Sequence, residues 1–184
     1  MNPRILLVPV LAATLPAFAA EPARPAQELL DAARKAAAPD RAVFVAFHAS
    51  WCSWCRRLEG VLARPEVKAV LDRHFVVQWL TVQERGEKKL LDNPGAAELY
   101  ARWTGGAPSG IPFYGILDAQ GTLKGTSLRV LEAGKAPENL GYPGSDAEIG
   151  QFLAFLKEGA PKLTAAEAEV IRGALDAAKP RPKA

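Results

Sequence analysis

The stretch Ala42-AVFVAFHASWCSWCRR-Arg57 decides the fold. Ala42 to Phe47 is an unbroken apolar run of alanine, β-branched and aromatic residues, which suits a strand buried on both faces. The run gives way to His48-Ala49-Ser50-Trp51 and then to Cys52 and Cys55, the 2 cysteines of the chain. Beyond them Leu58, Val61 and Leu62 recur at the spacing of one helical face. A strand running into a helix places Cys52 at the helix tip, where unpaired amides and the macrodipole favour negative charge. The expectation is an exposed sulfur at position 52, with Cys55 one turn further in and within reach.

A thiol at such a tip has its pKa lowered from about 8.5 to roughly 3.5–7.5, which makes it a nucleophile toward disulfides. Cys55 is placed to resolve the mixed disulfide that follows, giving dithiol exchange. A staple is a weak alternative, because the closed loop is too short to remove much entropy from the unfolded chain. A closed metal site needs four ligands. The 2 histidines, His48 and His74, are the further soft donors beside the cysteines, and no second C-x-x-C exists. From the residues alone a redox catalyst, a copper or zinc metallochaperone and a non-catalytic binding module all stay open, and no metal ligand is assigned.

Working outward, "MNPRILLVPVLAATLPAFAA" has an early Arg4, an apolar stretch from Ile5 to Leu15, and small residues at Ala17 and Ala19. This is the pattern of a cleaved secretory signal over residues 1–19, which makes the protein periplasmic or secreted. The apolar stretch is shorter than the ~20 residues that cross a bilayer, so no permanent membrane span is expected. An oxidising compartment also suits a disulfide. Of the 184 residues, 49% are hydrophobic and 23% charged, and the net charge is +3, the profile of a globular domain without the dense basic face of a nucleic-acid binder. A monomer is the default.

Residues 20–25 read as a mobile spacer, and "AQELLDAARKAAA" as a helix stopped by Pro39-Asp40. Pro65 opens a helix with Val67, Val70 and Leu71 on one side. Phe75–Val82 is a second strand, "QERGEKKLLDNPG" a polar turn-rich link, and "AAELYARW" a short helix. "IPFYGILD" makes a third strand with Pro112 near its start, "DAQG" a hairpin turn, and "TLKGTSLRV" one exposed fourth strand. "LEAGKAPENLGYPG" reads as irregular. Capping boxes at Ser145/Glu148 and Thr164/Glu167 open the last two helices. The alternation predicts an α/β fold with parallel pairing and an antiparallel hairpin edge. The divisions expected are a domain over 26–160, a helical extension over 161–178 and a disordered tail over 179–184. Trp79, Phe152 and Phe155 are core candidates, and Gly115 marks a close packing contact.

"VFVAFHASWCSWCRRLE", with "SGIPF" and "GILDAQG" later, resembles the thioredoxin superfamily over roughly Ala42 to Leu156. It is most similar to secreted thioredoxin-like proteins with a Trp-Cys-x-Trp-Cys site, and to the periplasmic thioredoxin-like domain of thiol:disulfide interchange proteins. The resemblance implies a thioredoxin-like fold with a mixed four-stranded sheet and extra terminal helices. It implies a thiol:disulfide oxidoreductase, Cys52 the nucleophile and Cys55 the resolving thiol, in a reductase or interchange role. Trp51 and Trp54 would shape the substrate surface. Pro112 would be cis and face the cysteines, leaving Ile111 to pair with an extended substrate. His48, Ser53 and Arg56 are candidates for tuning the thiol. No cofactor beyond the redox-active disulfide is implied, and the partners are protein thiols and disulfides, with an envelope redox protein among them. Two departures stand out. Ala46 occupies the place of a buried acid that assists the second thiol, and Ser53-Trp54 fills the inter-cysteine positions.

Overall fold

A computed structural model describes residues 22–107, 109–130 and 133–180. The signal segment expected over residues 1–19 lies outside them. Among the described residues six α-helices and six strands are formed: α1 (Ala26–Ala37), β1 (Ala42–His48), α2 (Ser53–Leu62), α3 (Pro65–His74), β2 (Phe75–Thr81), α4 (Ala96–Trp103), β3 (Phe113–Leu117), β4 (Leu123–Thr126), β5 (Leu128–Arg129), β6 (Glu138–Asn139), α5 (Asp146–Gly159) and α6 (Ala165–Ala177). A 3₁₀ turn, Gly86–Leu91, interrupts the link from β2 to α4. The main sheet has the order β2-β1-β3-β4, a mixed four-stranded sheet with helices on both faces. This is a thioredoxin-like fold.

The sheet is sorted by side-chain alternation along β1. Phe44 and Ala46 face a core built with Leu58, Val67, Leu71, Tyr114 and the α5 pair Phe152 and Phe155. Val43, Val45 and Phe47 face the opposite core, against Leu30 and Ala33 of α1 and Tyr100 of α4. Every β1 residue from Ala42 to Phe47 is therefore buried, which is why its sequence is continuously apolar rather than alternating. The ring of Phe44 stacks on Tyr114 at 5.4 Å, and Tyr114 meets Phe155 at 5.2 Å, contacts that add to area burial. Gly115 is required by a close approach: a Cβ there would stand 2.6 Å from the ring of Trp103. Trp79 is half-buried rather than a core residue, because β2 is the edge strand.

Parallel pairing holds for β1 with β2, but β3 runs antiparallel to β1. The register explains it. His48 pairs with Thr81 and Phe47 with Phe113, so the end of β1, the end of β2 and the start of β3 share one edge. The link through α4 leaves and re-enters the sheet at that edge, and β3 must then run back. The single fourth strand is also split. β4 pairs with β3, whereas β5 turns away to pair with β6, inside the stretch read as irregular. The pivot is Ser127, fully buried, whose Oγ accepts from the Tyr114 N–H at 3.1 Å and donates to Asn139 Oδ1 at 2.7 Å.

Helices α5 and α6 open on capping boxes, Ser145 with Glu148 and Thr164 with Glu167. α6 buries Ile171, Ala174 and Leu175 in the same core as Phe44. Arg64 donates to the Ala174 carbonyl at 3.0 Å, and Arg57 and the Tyr142 hydroxyl donate to the Ala178 carbonyl at 3.2 and 2.9 Å. These contacts bring the last turn of α6 to the end of the sheet where the cysteines lie. From 179 onward, where a tail was expected, Lys179 pairs with Asp146 at 2.5 Å and with Asp176 at 2.8 Å.

Candidate functional site

Cys52 is the N-cap of α2, in extended backbone, and Cys55 is in its first turn. The two are joined as a disulfide with Cα atoms 5.3 Å apart. The Cys55 N–H donates to Cys52 Sγ at 3.1 Å, so an otherwise unpaired amide of the helix tip is aimed at that sulfur. The side chain that usually caps a helix with oxygen is here a sulfur, and the helix dipole adds to the same effect. Cys52 Sγ also lies 3.4 Å from the Ile111 carbonyl oxygen. The Ile111–Pro112 peptide is cis.

The sulfur is not open, as the sequence suggested. Cys52 is 4% exposed and Cys55 1%, because Ala49 and Ile111 pack against the pair. What is exposed is the aromatic frame: Trp51 at 39% and Trp54 at 47%. Trp51 donates its indole N–H to the Gln83 carbonyl at 2.8 Å. Trp54 stacks on Tyr142 at 5.5 Å. Between Trp54 and the cis peptide runs a cleft of about 570 Å³, lined also by Asn139, Tyr142 and Pro180.

Of the residues singled out in the sequence, Trp51, Ser53, Trp54, Ile111 and Pro112 surround the two cysteines. Ser53 is exposed at the first position of α2. Arg56 bends back to donate to the Ser50 carbonyl at 2.5 Å, bracing the loop before Cys52. His48 turns toward β2: its Nε2 lies 3.3 Å from Thr81 Oγ1 and its ring 5.2 Å from that of Trp79. Burial pulls the His48 imidazole below its ordinary value, opposed by the carboxylates of Glu59 and Glu84. His74 lies at the far end of the sheet, against Glu167. Among the described residues no group of three or more His, Cys, Asp and Glu side chains is placed to hold a metal ion.

Three residues that the sequence did not flag build the site. Glu84, 4% exposed, accepts from the Ser50 N–H at 2.5 Å and from the Ser50 hydroxyl at 2.8 Å. Asn139 donates to the carbonyls of Gly110 and Pro112 at 2.7 and 3.1 Å, pinning the cis turn from both sides. Tyr142 forms the floor under Trp54, and burial raises its hydroxyl pKa against the influence of Arg57 and Arg64. Their positions lie in turn-rich stretches without periodicity, and their partners are distant in sequence.

Residues 24–119 match a family model described as thioredoxin-like, just over half of the chain. This chain belongs to the thioredoxin-like family. The thioredoxin-like match ends before Asn139, Tyr142 and all of α5 and α6. Similar solved structures include a disulphide isomerase from Xylella fastidiosa Temecula1, at 23% identity over 54% of this chain and 68% of that one, with a TM-score of 0.41. A DsbH oxidoreductase matches at 18% identity over 82% and 95%, with a TM-score of 0.42. A thioredoxin from Thermus thermophilus matches at 27% identity over 73% and 83%, with a TM-score of 0.39. No curated protein matches the chain.

Proposed function

We propose that this protein is an exported thiol:disulfide oxidoreductase that exchanges the Cys52–Cys55 pair with protein disulfides, acting as a reductase or interchange protein. The observation that carries the reading is the aim of the Cys55 N–H at Cys52 Sγ from the tip of α2, at 3.1 Å. A thiolate at position 52 is stabilised by that hydrogen bond and by the helix dipole more strongly than a neutral thiol is. Export rests on the residues before Ala20, and Ala17-Phe18-Ala19 is the cleavage pattern that supports it.

In the reducing direction the Cys52 thiolate attacks one sulfur of a partner disulfide. A Cys52–partner S–S bond forms, the partner S–S bond breaks, and the displaced sulfur leaves as a thiolate that takes up a proton. Cys55 then loses its proton and attacks Cys52 Sγ, which forms the intramolecular disulfide and releases the second partner thiol. Two electrons and two protons pass to the partner, and a dithiol protein must return them for the next cycle. Ile111 presents its backbone beside the sulfur, Trp51 and Trp54 flank the approach, and no organic cofactor takes part. Pinning of Gly110 and Pro112 by Asn139 fixes the surface along which an extended partner segment would lie.

The test is the rate at which the reduced protein is alkylated, followed against pH, and then its redox equilibrium with glutathione. The expected inflection for Cys52 lies at least about one unit below the ordinary thiol value of ~8.5. A Cys55→Ser variant should accumulate the mixed disulfide, and Cys52→Ser should abolish exchange. An ordinary thiol pKa together with no exchange would instead make the dithiol idle and the chain a binding module.

A further inference from the structure

The two exposed tryptophans beside Cys52 share an arrangement. The guanidinium of Arg85 lies 4.0 Å from the ring centroid of Trp51, and that of Arg57 lies 5.5 Å from Trp54 and 5.7 Å from Tyr142. Two more cations join them. Arg56 braces Ser50 through its carbonyl, and Lys88 donates to the Ser50 hydroxyl at 3.2 Å. Among the described residues none of these four cations makes an ion pair, whereas Arg24, Arg73, Arg129 and Lys179 elsewhere on the surface do. The hydrogen bonds of Arg56, Arg57 and Lys88 go to neutral oxygens.

The nearby acids do not cancel this charge. Glu84 is buried beneath the loop and bound by Ser50. Glu59 lines a separate groove along β2 with Leu62 and Trp79. Glu148, in the cleft wall, is held by the N–H groups of Gly144 and Ser145. Glu87, on the 3₁₀ turn, is exposed, as is Glu59. Of the exposed charges named here, the cations Arg56, Arg57, Arg85 and Lys88 outnumber the acids Glu59 and Glu87, and two of the cations lie over aromatic rings with guanidinium donors left over. Stacking lowers the entropy lost when such a fork closes on a carboxylate.

We infer that the face around Cys52 recognises a protein segment carrying carboxylates beside its own redox-active cysteine, with Arg57 and Arg85 as the two gripping points. This rests on the proposed oxidoreductase reading for its chemistry but not for its docking. Arg57 is kept in place by the Ala178 carbonyl and by Tyr142, so residues after the family match position one of the two grips. Charge of this kind acts mainly on association rate and on partner choice, and salt screens it.

The experiment uses the full reduced chain and three disulfide-linked peptides that differ only in the residues flanking the cysteine: aspartate and glutamate, serine, or lysine. Exchange rates are measured at low and high ionic strength. Binding of the same peptides with cysteine replaced by serine is followed by tryptophan fluorescence. The acidic peptide should react about tenfold faster than the lysine peptide at low salt, with the ratio falling toward one at high salt. The ratio should also fall in Arg57→Gln and in Arg85→Gln. Should Arg57→Gln disturb α6, Arg85→Gln, which touches no part of that helix, carries the test alone. Equal binding and equal rates for acidic and lysine peptides would overturn the proposal. Acid-selective binding without exchange of any peptide would support the docking face and sink the oxidoreductase reading.

Discussion

The two histidines stand at opposite ends of the same sheet and are held in opposite ways. At the far end, His74 Nε2–H donates at 3.0 Å to Glu167, which also receives Arg73 at 2.9 Å and the Thr164 N–H at 2.8 Å. One carboxylate there gathers a helix cap, a guanidinium and an imidazole, tying α6 to α3. At the cysteine end, His48 meets only a hydroxyl and an indole ring, and the carboxylate of Glu84 goes to the Ser50 backbone and hydroxyl. The far end neutralises its charges to fasten helices. The cysteine end directs its polar groups at the loop that carries the sulfur and leaves its cations free. The difference teaches that position of charge, more than amount of charge, separates the fastening end from the reactive end.

The largest test of that contrast removes the carboxylate under the loop. Glu84→Ala deletes two hydrogen bonds to a charged acceptor, so stability should fall by about 2 kcal/mol. For a chain of this size that is a fall of about 4–8 °C in Tm by calorimetry. The alkylation rate of Cys52 at pH 7 should change in the same variant, because the loop before the cap loosens. Glu84→Gln, which keeps one acceptor, should recover most of both. If Glu84→Ala shifts Tm and leaves the thiol untouched, the carboxylate fastens the chain like its counterpart at the far end, and the contrast fails.

The next test concerns the far end and has a defined pH window. Thr164 and Arg73 hold the Glu167 carboxyl down from 4.5 to about 2, with His74 adding to them against burial. The folded value lies below the unfolded one, so the contribution to stability is complete above pH ~4.5 and is lost as pH falls toward 2. Glu167→Gln retains the capping geometry but abolishes this acid limb. Denaturation midpoints measured between pH 5 and 2 should fall less steeply in the variant than in the parent. Identical slopes would show that the three partners hold Glu167 no better in the folded chain than water does in the unfolded one.

How much of this was legible in the sequence follows from how local each feature is. The β1–Cys52–α2 unit lies in one stretch, and its apolar run, its cysteine spacing and the Leu58 and Leu62 stripe point to one structure. The two capping boxes are equally local, and both form. Gly115 was readable as a contact because a strand interior rarely keeps a glycine otherwise. The burial of Cys52 was not readable, since its cover comes from Ile111, far along the chain. Nor was the direction of β3, which depends on the sheet edge at which the α4 link returns. Glu84 and Asn139 were hidden for a further reason: Glu84 sits in a polar turn and Asn139 in a strand of two residues, where no period marks a residue that faces inward. Ser127 shows the same limit, a lone hydroxyl that splits one expected strand into two ladders.

The smallest effect belongs to His48, and it sharpens the comparison because its sign differs in origin from that of Glu167. Burial lowers the His48 imidazole from its ordinary 6.5, and Glu59 and Glu84 only partly offset this. The unfolded chain therefore takes up a proton at this residue before the folded chain does. Stability contributed by neutral His48 is whole above pH ~6.5 and declines as pH falls from there toward the lower folded value, below which the decline stops. His48→Gln keeps a group able to bond Thr81 and removes the titration. Urea midpoints at pH ~7.5 and ~5.5 should therefore draw closer together in the variant than in the parent. The window lies above that of Glu167, so the two ends of the sheet can be read separately in one titration. An unchanged gap between the two pH values would mean that Glu59 and Glu84 cancel the burial of His48 outright, and that the cysteine end pairs its histidine after all.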